Sequence, residues 1–263
     1  MLIVGELINA SRKKIGLAIE SQDKAFIQKV ASDQLQNGAD YIDVNAGIFV
    51  GKEAEYLKWL VSTVQDAVEA PCCIDSPDPE AIEAALSIHK GTAIINSISL
   101  EKKRYDAFLP LLAGTDLKVV ALCVSDEGMP ETAEARIAIA DKLINRLVRN
   151  NVLIDNIYVD PLVQPIATNS NFGVEFLKAI EKIMTTYEGI HTICGLSNIS
   201  YGLPERKFMN QMFMVMAISK GLDAAIVDPL DKQMMAGIIT GETLIGKDNF
   251  CMNFLKAYRA KKL

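Results

Sequence analysis

The chain has 263 residues, of which 50% are hydrophobic and 23% charged, and it carries a formal net charge of −6 at neutral pH. This balance supports one large buried core and argues against a disordered chain. The acidic excess disfavours a nucleic-acid-binding protein, which normally presents a basic face.

Short apolar runs alternate along the chain with longer segments of helical periodicity, the pattern of repeated strand–helix units. Eight runs are apolar on both faces, as expected of parallel strands covered by helices, and are predicted strands: Leu2–Gly5, Tyr41–Val44, Cys72–Ile74, Ala93–Ile95, Lys118–Cys123, Asn156–Val159, His191–Gly195 and Ala224–Val227. Amphipathic segments between and after them are predicted helices: Lys24–Gln36, Lys52–Val68, Pro79–Ser87, Thr132–Asn150, Gly173–Tyr187, Glu205–Lys220 and Asn249–Leu263.

Eight such units in succession predict an α/β fold, a (β/α)8 TIM barrel formed by residues 1–263 as one domain. A doubly wound open sheet uses the same elements. Its first β–α turn, however, usually holds a glycine-rich phosphate loop, whereas the first turn predicted here reads Gly5-Glu6-Leu7-Ile8-Asn9-Ala10. The barrel is therefore the favoured fold.

The cysteines and histidines indicate neither a disulfide framework nor a metal site. The five cysteines include no C-x-x-C pair, and neither His89 nor His191 lies near Cys, Asp or Glu in a metal-binding arrangement. The N-terminus lacks a basic leader, and no stretch approaches the roughly 20 apolar residues of a membrane span. We therefore expect no protein-bound metal, no membrane association and a cytoplasmic location.

Polar side chains recur where the predicted strands end. Seven of the eight strands are followed by a carboxylate or carboxamide: Glu6 and Asn9, Asp43 and Asn45, Asp75, Asn96, Asp160, Asn198 and Asp228. The carboxyl ends of barrel strands converge on one mouth, so we expect these side chains to form one site. Asp and Asn also start turns and cap helices, which accounts equally well for any single position. Asp75, Asn96 and Asp160 directly end apolar runs and are the strongest candidates.

Lysine, arginine and histidine are missing from the same positions. Their absence argues against a Schiff-base aldolase, a phosphate-binding barrel and a mononuclear metal hydrolase. Carboxylates and amides suit a heteroaromatic ring with adjacent N–H donors and a carbonyl acceptor, because Asp accepts and Asn both donates and accepts. A pterin has such an edge.

Six segments in order resemble the methyltetrahydrofolate:corrinoid protein methyltransferases over nearly the whole chain. They are Met1-Leu2-Ile3-Val4-Gly5-Glu6-Leu7-Ile8-Asn9, Asp43-Val44-Asn45-Ala46-Gly47, Cys73-Ile74-Asp75-Ser76, Ile95-Asn96-Ser97, Tyr158-Val159-Asp160-Pro161-Leu162 and Gly195-Leu196-Ser197-Asn198-Ile199-Ser200. The resemblance implies a pterin-binding barrel related to dihydropteroate synthases and to the folate domain of cobalamin-dependent methionine synthase. It also implies a homodimer and a separate corrinoid protein as methyl partner.

The resemblance also implies roles for individual residues. Asp75, Asn96 and Asp160 would hold the pterin edge, and Asn198 would reach N5, the atom that carries the methyl group. The whole predicted pterin-binding set is Glu6, Asp43, Asn45, Asp75, Asn96, Asp160, Gly195, Ser197 and Asn198. Asn198 is the predicted catalytic residue, with Asp75 as a possible general acid. Gln164 and Arg206 are predicted tail contacts, although Arg206 suits a solvated helix start equally well.

The predicted reaction moves a methyl group between N5 of tetrahydrofolate and the cobalt of a corrinoid carried by the partner protein, in either direction. Such a reaction serves the demethylation of methylated amines, betaines or methyl ethers, or acetogenesis. Two alternatives stay open. A dihydropteroate synthase-like enzyme would need basic residues for a pyrophosphate, and Ser197-Asn198 has no basic neighbour in sequence. A non-catalytic pterin-binding module would need only the ring-holding residues.

Overall fold

The computed structural model describes residues 1–263 and contains one sheet of eight parallel strands. The strands are β1 (Leu2–Asn9), β2 (Tyr41–Asn45), β3 (Cys72–Asp75), β4 (Ile94–Leu100), β5 (Lys118–Ser125), β6 (Ile157–Asp160), β7 (His191–Thr192) and β8 (Ala224–Val227). Each strand from β1 to β6 pairs with the next in sequence, and β8 pairs with β1. Beyond β7, the Ile226 N–H donates to the Cys194 carbonyl at 3.0 Å and brings this segment against β8. The predicted (β/α)8 barrel is confirmed.

Ten α-helices surround or follow the strands. They are α1 (Lys13–Glu20), α2 (Lys24–Gln36), α3 (Glu53–Gln65), α4 (Pro79–Leu86), α5 (Lys102–Leu112), α6 (Ala133–Arg149), α7 (Phe172–Thr186), α8 (Arg206–Ser219), α9 (Lys232–Leu244) and α10 (Met252–Arg259). Short 3₁₀ helices span Ile154–Asn156, Leu196–Ser200 and Asn249–Cys251. None of these helices combines the length and the apolar character needed to cross a bilayer.

The first strand is longer than predicted. β1 continues to Asn9, so the segment predicted as the first β–α turn is still strand. The pairing of β1 with β2 shifts register between Gly5 and Ile8, which marks an irregularity in the ladder. Buried Gln34 of α2 accepts the Leu7 N–H at 2.9 Å through its side-chain oxygen. A side chain thus satisfies a backbone donor where the strand is irregular, which no apolar pattern predicts.

The predicted seventh strand is too long. β7 covers only His191–Thr192, and the chain then passes through one isolated bridge at Gly195 into the 3₁₀ helix Leu196–Ser200. The early turn places the end of this segment at the barrel mouth. This irregular segment carries three of the residues predicted to line the site, Gly195, Ser197 and Asn198.

An apolar layer fills the barrel interior. Its members come from all around the barrel: Val4, Tyr41, Cys73, Ile94, Val120, Tyr158, Ile193 and Ala224. Such layers make a TIM barrel a packed core and not a pore. Polar residues that follow this layer along the strands therefore face a cavity that is closed below and open at the carboxyl ends.

Candidate functional site

A polar pocket lies at the carboxyl ends of the strands. Its walls are formed by Glu6, Asn9, Ser11, Arg12, Asp43, Asp75, Asn96, Gly195, Ser197, Asn198 and Ile226. Seven of the predicted pterin-binding residues meet there: Glu6, Asp43, Asp75, Asn96, Gly195, Ser197 and Asn198. The convergence of strand ends thus brings together residues that are up to 192 positions apart in sequence (198 − 6).

Asn45 supports Asp75 from behind the pocket and is not part of its lining. Its side-chain amide donates to Asp75 Oδ2 at 2.9 Å, and its Oδ1 accepts the Gly47 N–H at 3.0 Å. Burial raises the pKa of Asp75, while the Asn45 hydrogen bond and the nearby Arg104 charge lower it. The hydrogen bond fixes one Asp75 oxygen and leaves the other for a ligand.

Asp43 is the most deeply buried acid of the pocket. Its side chain is only 3% exposed, and Oδ1 has no hydrogen-bond partner. Burial raises the pKa of Asp43 well above its ordinary value, and the neighbouring Asp75 charge raises it further. The two acids share one small volume, so a single negative charge between them is favoured over two.

Asp160 ends β6 outside the lining of this pocket. Its Oδ1 accepts the Leu162 N–H at 2.8 Å. Burial raises the pKa of Asp160 to about 7, against the lowering effects of the Leu162 hydrogen bond and the Arg136 charge. The carboxyl therefore changes charge near neutral pH.

Asn198 projects from the 3₁₀ helix and is exposed, with no hydrogen bond to its side chain. A Cβ atom on neighbouring Gly195 would meet nothing within 4 Å, so this glycine borders open space. Arg206 holds the segment from outside. Its Nη2 donates to the Ser197 carbonyl at 2.9 Å and its Nε to Ser200 Oγ at 3.1 Å. The Asn198 amide is thus free to reach a bound molecule while its backbone is fixed.

Ser197 and Asn198 have no basic neighbour in sequence, but the fold gives them one, so this argument against a dihydropteroate synthase-like site is wrong. Arg206 contacts Ser197, and it lines a second cavity beside the polar pocket together with Arg12 and Lys207. Glu6, Arg12, Ser197 and Ile226 border both cavities. The cations come from the starts of helices and not from strand ends, so their positions gave no signal in the strand-end pattern.

Glu6 and Arg12 form an ion pair where the two cavities join. Arg12 Nη2 lies 2.6 Å from Glu6 Oε1. Burial raises the pKa of Glu6, Arg12 lowers it, and the negative charge of Asp228 raises it again. Arg12 was not among the predicted site residues, because it lies three positions beyond the strand that carries Asn9.

Gln164 does not occupy the open position expected of a contact to a substrate tail. It is buried, and its Oε1 accepts a hydrogen bond from Arg136 Nη2 at 3.3 Å. Asp228 fits the turn-forming alternative, since its Oδ1 accepts the Leu230 N–H at 2.9 Å. No group of three His, Cys, Asp or Glu side chains in the chain is arranged to hold a metal ion.

Comparison with known proteins matches residues 5–228 to the pterin binding enzyme family. A methylcorrinoid:tetrahydrofolate methyltransferase of Eubacterium limosum is 39% identical over 100% of this chain and 98% of its own length. A methionine synthase of Mycobacterium tuberculosis is 31% identical over 86% of this chain, which corresponds to 20% of that protein. A dihydropteroate synthase of Coxiella burnetii, solved with pteroic acid, shares 16% identity with a TM-score of 0.72 over 94% of both chains.

Proposed function

Because this chain belongs to the pterin-binding enzyme family and is a methyltransferase, we propose that it moves a methyl group between N5 of tetrahydrofolate and the cobalt of a corrinoid protein. The single observation that carries the proposal is the exposed, unpaired Asn198 amide at the edge of a pocket lined by Asp and Asn. The same site serves both directions of transfer.

The pterin ring binds on the acidic and amide side chains of the mouth. One Asp75 oxygen is held by Asn45 and the other accepts from the ring's amino and N–H groups. Asn96 lies beside Asp75 in the adjacent strand and supplies both a donor and an acceptor. Asp160 accepts a further ring N–H when ionised. The hydrogen bonds to ionised Asp75 and Asp160 join a charged acceptor to a neutral donor and are stronger than neutral pairs.

Asn198 acts on the nitrogen that releases the methyl group. Negative charge develops on N5 as the methyl leaves, and a fixed amide donor stabilises it. An amide cannot deliver a proton at neutral pH, so Asn198 works by electrostatic stabilisation. The raised pKa of Asp75 favours this residue as the second catalytic candidate, a general acid.

The corrinoid is carried by a separate protein and supplies the methyl-accepting cobalt, so the barrel needs no nucleophile of its own. Ile48, Val50, Met129 and Tyr201 are exposed on loops that follow β2, β5 and β7, at the end of the barrel where Asn198 lies. Exposed apolar residues grouped at one end suit a protein partner.

The folate tail leaves the pterin pocket through the second cavity. Arg206 and Lys207 line it, and their charges suit the carboxylates of a glutamate tail. Gln164 is buried against Arg136 and has no part in this contact.

We also propose a homodimer. Phe208, Met212 and Met216 recur every fourth residue on one face of α8, and all three are exposed. A continuous apolar face of this kind on a helix is usually covered in the assembled protein.

The dihydropteroate synthase-like alternative gains one observation, the Arg206 contact to Ser197. Both activities therefore need testing with the same preparation. A condensation assay with a pterin pyrophosphate and 4-aminobenzoate is expected to give no product, and turnover there without methyl transfer would replace the proposed function by the alternative.

The main test compares wild type with Asn198→Ala in methyl transfer between tetrahydrofolate and reduced free cobalamin. We expect the rate to fall by about 10²-fold to 10³-fold for loss of one well-placed donor, with folate affinity little changed. Asn253→Ala is the matched control, because Asn253 is exposed on α10 and its side chain makes no hydrogen bond. Equal rates for wild type and Asn198→Ala would remove Asn198 from the mechanism. Pterin binding without turnover, also with corrinoid proteins, would favour the binding module.

A further inference from the structure

Arg136 lies on the buried face of α6, where the helical pattern predicts an apolar side chain. The buried face of α6 consists of Ala133, Arg136, Ala140, Leu143, Ile144 and Leu147. Arg136 is 0% exposed, and it is the largest fully buried side chain of the protein. A guanidinium in the core costs free energy unless its donors are satisfied, so its presence calls for a specific role.

The partners of Arg136 are backbone and amide oxygens, not carboxylates. Its Nε donates to the Pro161 carbonyl at 2.9 Å, and Nη2 donates to Gln164 Oε1 at 3.3 Å, with the Leu162 carbonyl at 3.5 Å. None of the salt bridges of the protein includes Arg136. All of these oxygens belong to the segment that directly follows Asp160, so the guanidinium clamps that turn.

The turn that Arg136 holds also orients the Asp160 carboxyl. Leu162 lies in the left-handed region with a φ of 67°, a conformation that is unfavourable for a leucine. In this conformation its N–H donates to Asp160 Oδ1 at 2.8 Å. The carbonyls of Pro161 and Leu162 are both partners of Arg136. The arginine therefore stabilises the strained turn that orients the carboxyl group.

We propose that Arg136 is a positioning residue, which fixes the carboxyl of Asp160 toward the pterin and favours its ionised form. The inference rests on the proposed function for the identity of the ligand, and on the described contacts for the rest. Two further arginines show related geometry: Arg104 Nε donates to the Ser97 carbonyl at 2.8 Å, directly after Asn96, and Arg206 holds Ser197. Only Arg136 is fully buried.

The ionisable groups that face Asp160 are few. Arg136 approaches from α6, Cys123 from β5, and Cys194 from the segment after β7. Burial raises the pKa of both thiols, so they stay neutral beside the carboxyl. The charge of Arg136 and the Leu162 N–H are what lower the pKa of Asp160 against the effect of burial. Without Arg136 the carboxyl keeps its proton to higher pH.

The test uses Arg136→Met, which removes the charge and the donors, and Arg136→Lys, which keeps a charge but not the planar fork. Leu143→Ala is the matched control, because it disturbs the same buried face of α6 away from the turn. Two quantities are measured on the full chain. One is the titration of the Asp160 carboxyl by ¹³C NMR, assigned with Asp160→Asn, and the other is the Kd of tetrahydrofolate against pH.

We expect Arg136→Met to raise the Asp160 titration midpoint by about one pH unit and, by lowering the ionised fraction, to weaken tetrahydrofolate binding at pH 7 by about 5-fold. Arg136→Lys should bring the Asp160 titration midpoint most of the way back to the wild-type value, whereas Leu143→Ala should change neither quantity. A folded Arg136→Met with both quantities at the wild-type values would overturn the inference. If only Arg136→Lys folds, a Kd of tetrahydrofolate equal to that of wild type would overturn it, because lysine keeps the charge but not the planar fork that holds the turn. If wild type itself fails to bind tetrahydrofolate, the proposed function fails, and the carboxyl titration alone decides the role of Arg136.

Discussion

Replacing Asp160 with asparagine is expected to make the protein less sensitive to alkaline pH while weakening pterin binding. Burial raises the pKa of Asp160 from 3.8 to about 7, so the folded chain holds this proton more tightly than the unfolded chain. Stability is then highest below the unfolded pKa and falls as pH rises toward the folded pKa. Asparagine removes the titration and still offers an oxygen to the Leu162 N–H.

The magnitude follows from the size of the pKa shift. A rise from 3.8 to about 7 corresponds at most to about 4 kcal/mol of folding free energy lost across that window. The side chain is only half-buried at the barrel mouth, and solvent screening there reduces the effect to about 2 kcal/mol. This amount is a large part of the stability of a typical domain.

The effect is measured by urea unfolding at pH 5 and pH 8. The change in unfolding free energy between the two pH values is determined for wild type and for Asp160→Asn, and the second change is subtracted from the first. Asp155→Asn serves as control, because Asp155 is exposed on the neighbouring 3₁₀ helix. Because pH 5 lies above the unfolded pKa of 3.8, about two thirds of the effect falls between the two pH values. We therefore expect wild type to lose about 1 kcal/mol more than Asp160→Asn, and the control to behave like wild type. Parallel stability profiles for wild type and Asp160→Asn would refute the reasoning.

Two further variants test the α8 surface and the irregular β1 strand. Met212→Glu combined with Met216→Glu should convert a dimer into a monomer of 28.8 kDa in light scattering, whereas a monomeric wild type would contradict the proposed homodimer. Gly5→Ala places a Cβ 2.5 Å from Gln34 Oε1, the atom that accepts the Leu7 N–H, so we expect a loss of about 1–3 kcal/mol in urea unfolding. An unfolding free energy equal to that of wild type would show that Gln34 moves without cost.

The sequence was sufficient for the barrel, because parallel strands covered on both faces leave continuous apolar runs that are easy to recognise. Elements with weaker patterns were missed. α1 has only eight residues, α5 contains Pro110, and α9 has glycines in its interior. The extension of β1 to Asn9 depends on Gln34, a residue from another element. Long-range hydrogen bonds of this kind leave no local signal.

Most of the site was also predictable, because strand ends in a barrel meet and their polar residues follow apolar runs. The supporting role of the cations was not, and Arg206 was predicted only as a tail contact. Arg136 and Arg206 reach the site from helices, and in sequence each looks like an ordinary charged helix residue. Whether an acid such as Asp43 carries its charge also depends on burial and on neighbours such as Asp75, which only the folded arrangement defines.

The most direct measurement follows the methyl group itself. Tetrahydrofolate carrying a ¹³C methyl on N5 is mixed with stoichiometric wild-type enzyme and reduced cobalamin, and the label is located by NMR. The proposed function predicts that the ¹³C resonance moves from the folate to methyl-cobalt, together with the matching change in the visible spectrum. Label that stays on bound tetrahydrofolate, with free cobalamin and with corrinoid proteins alike, would contradict the central claim.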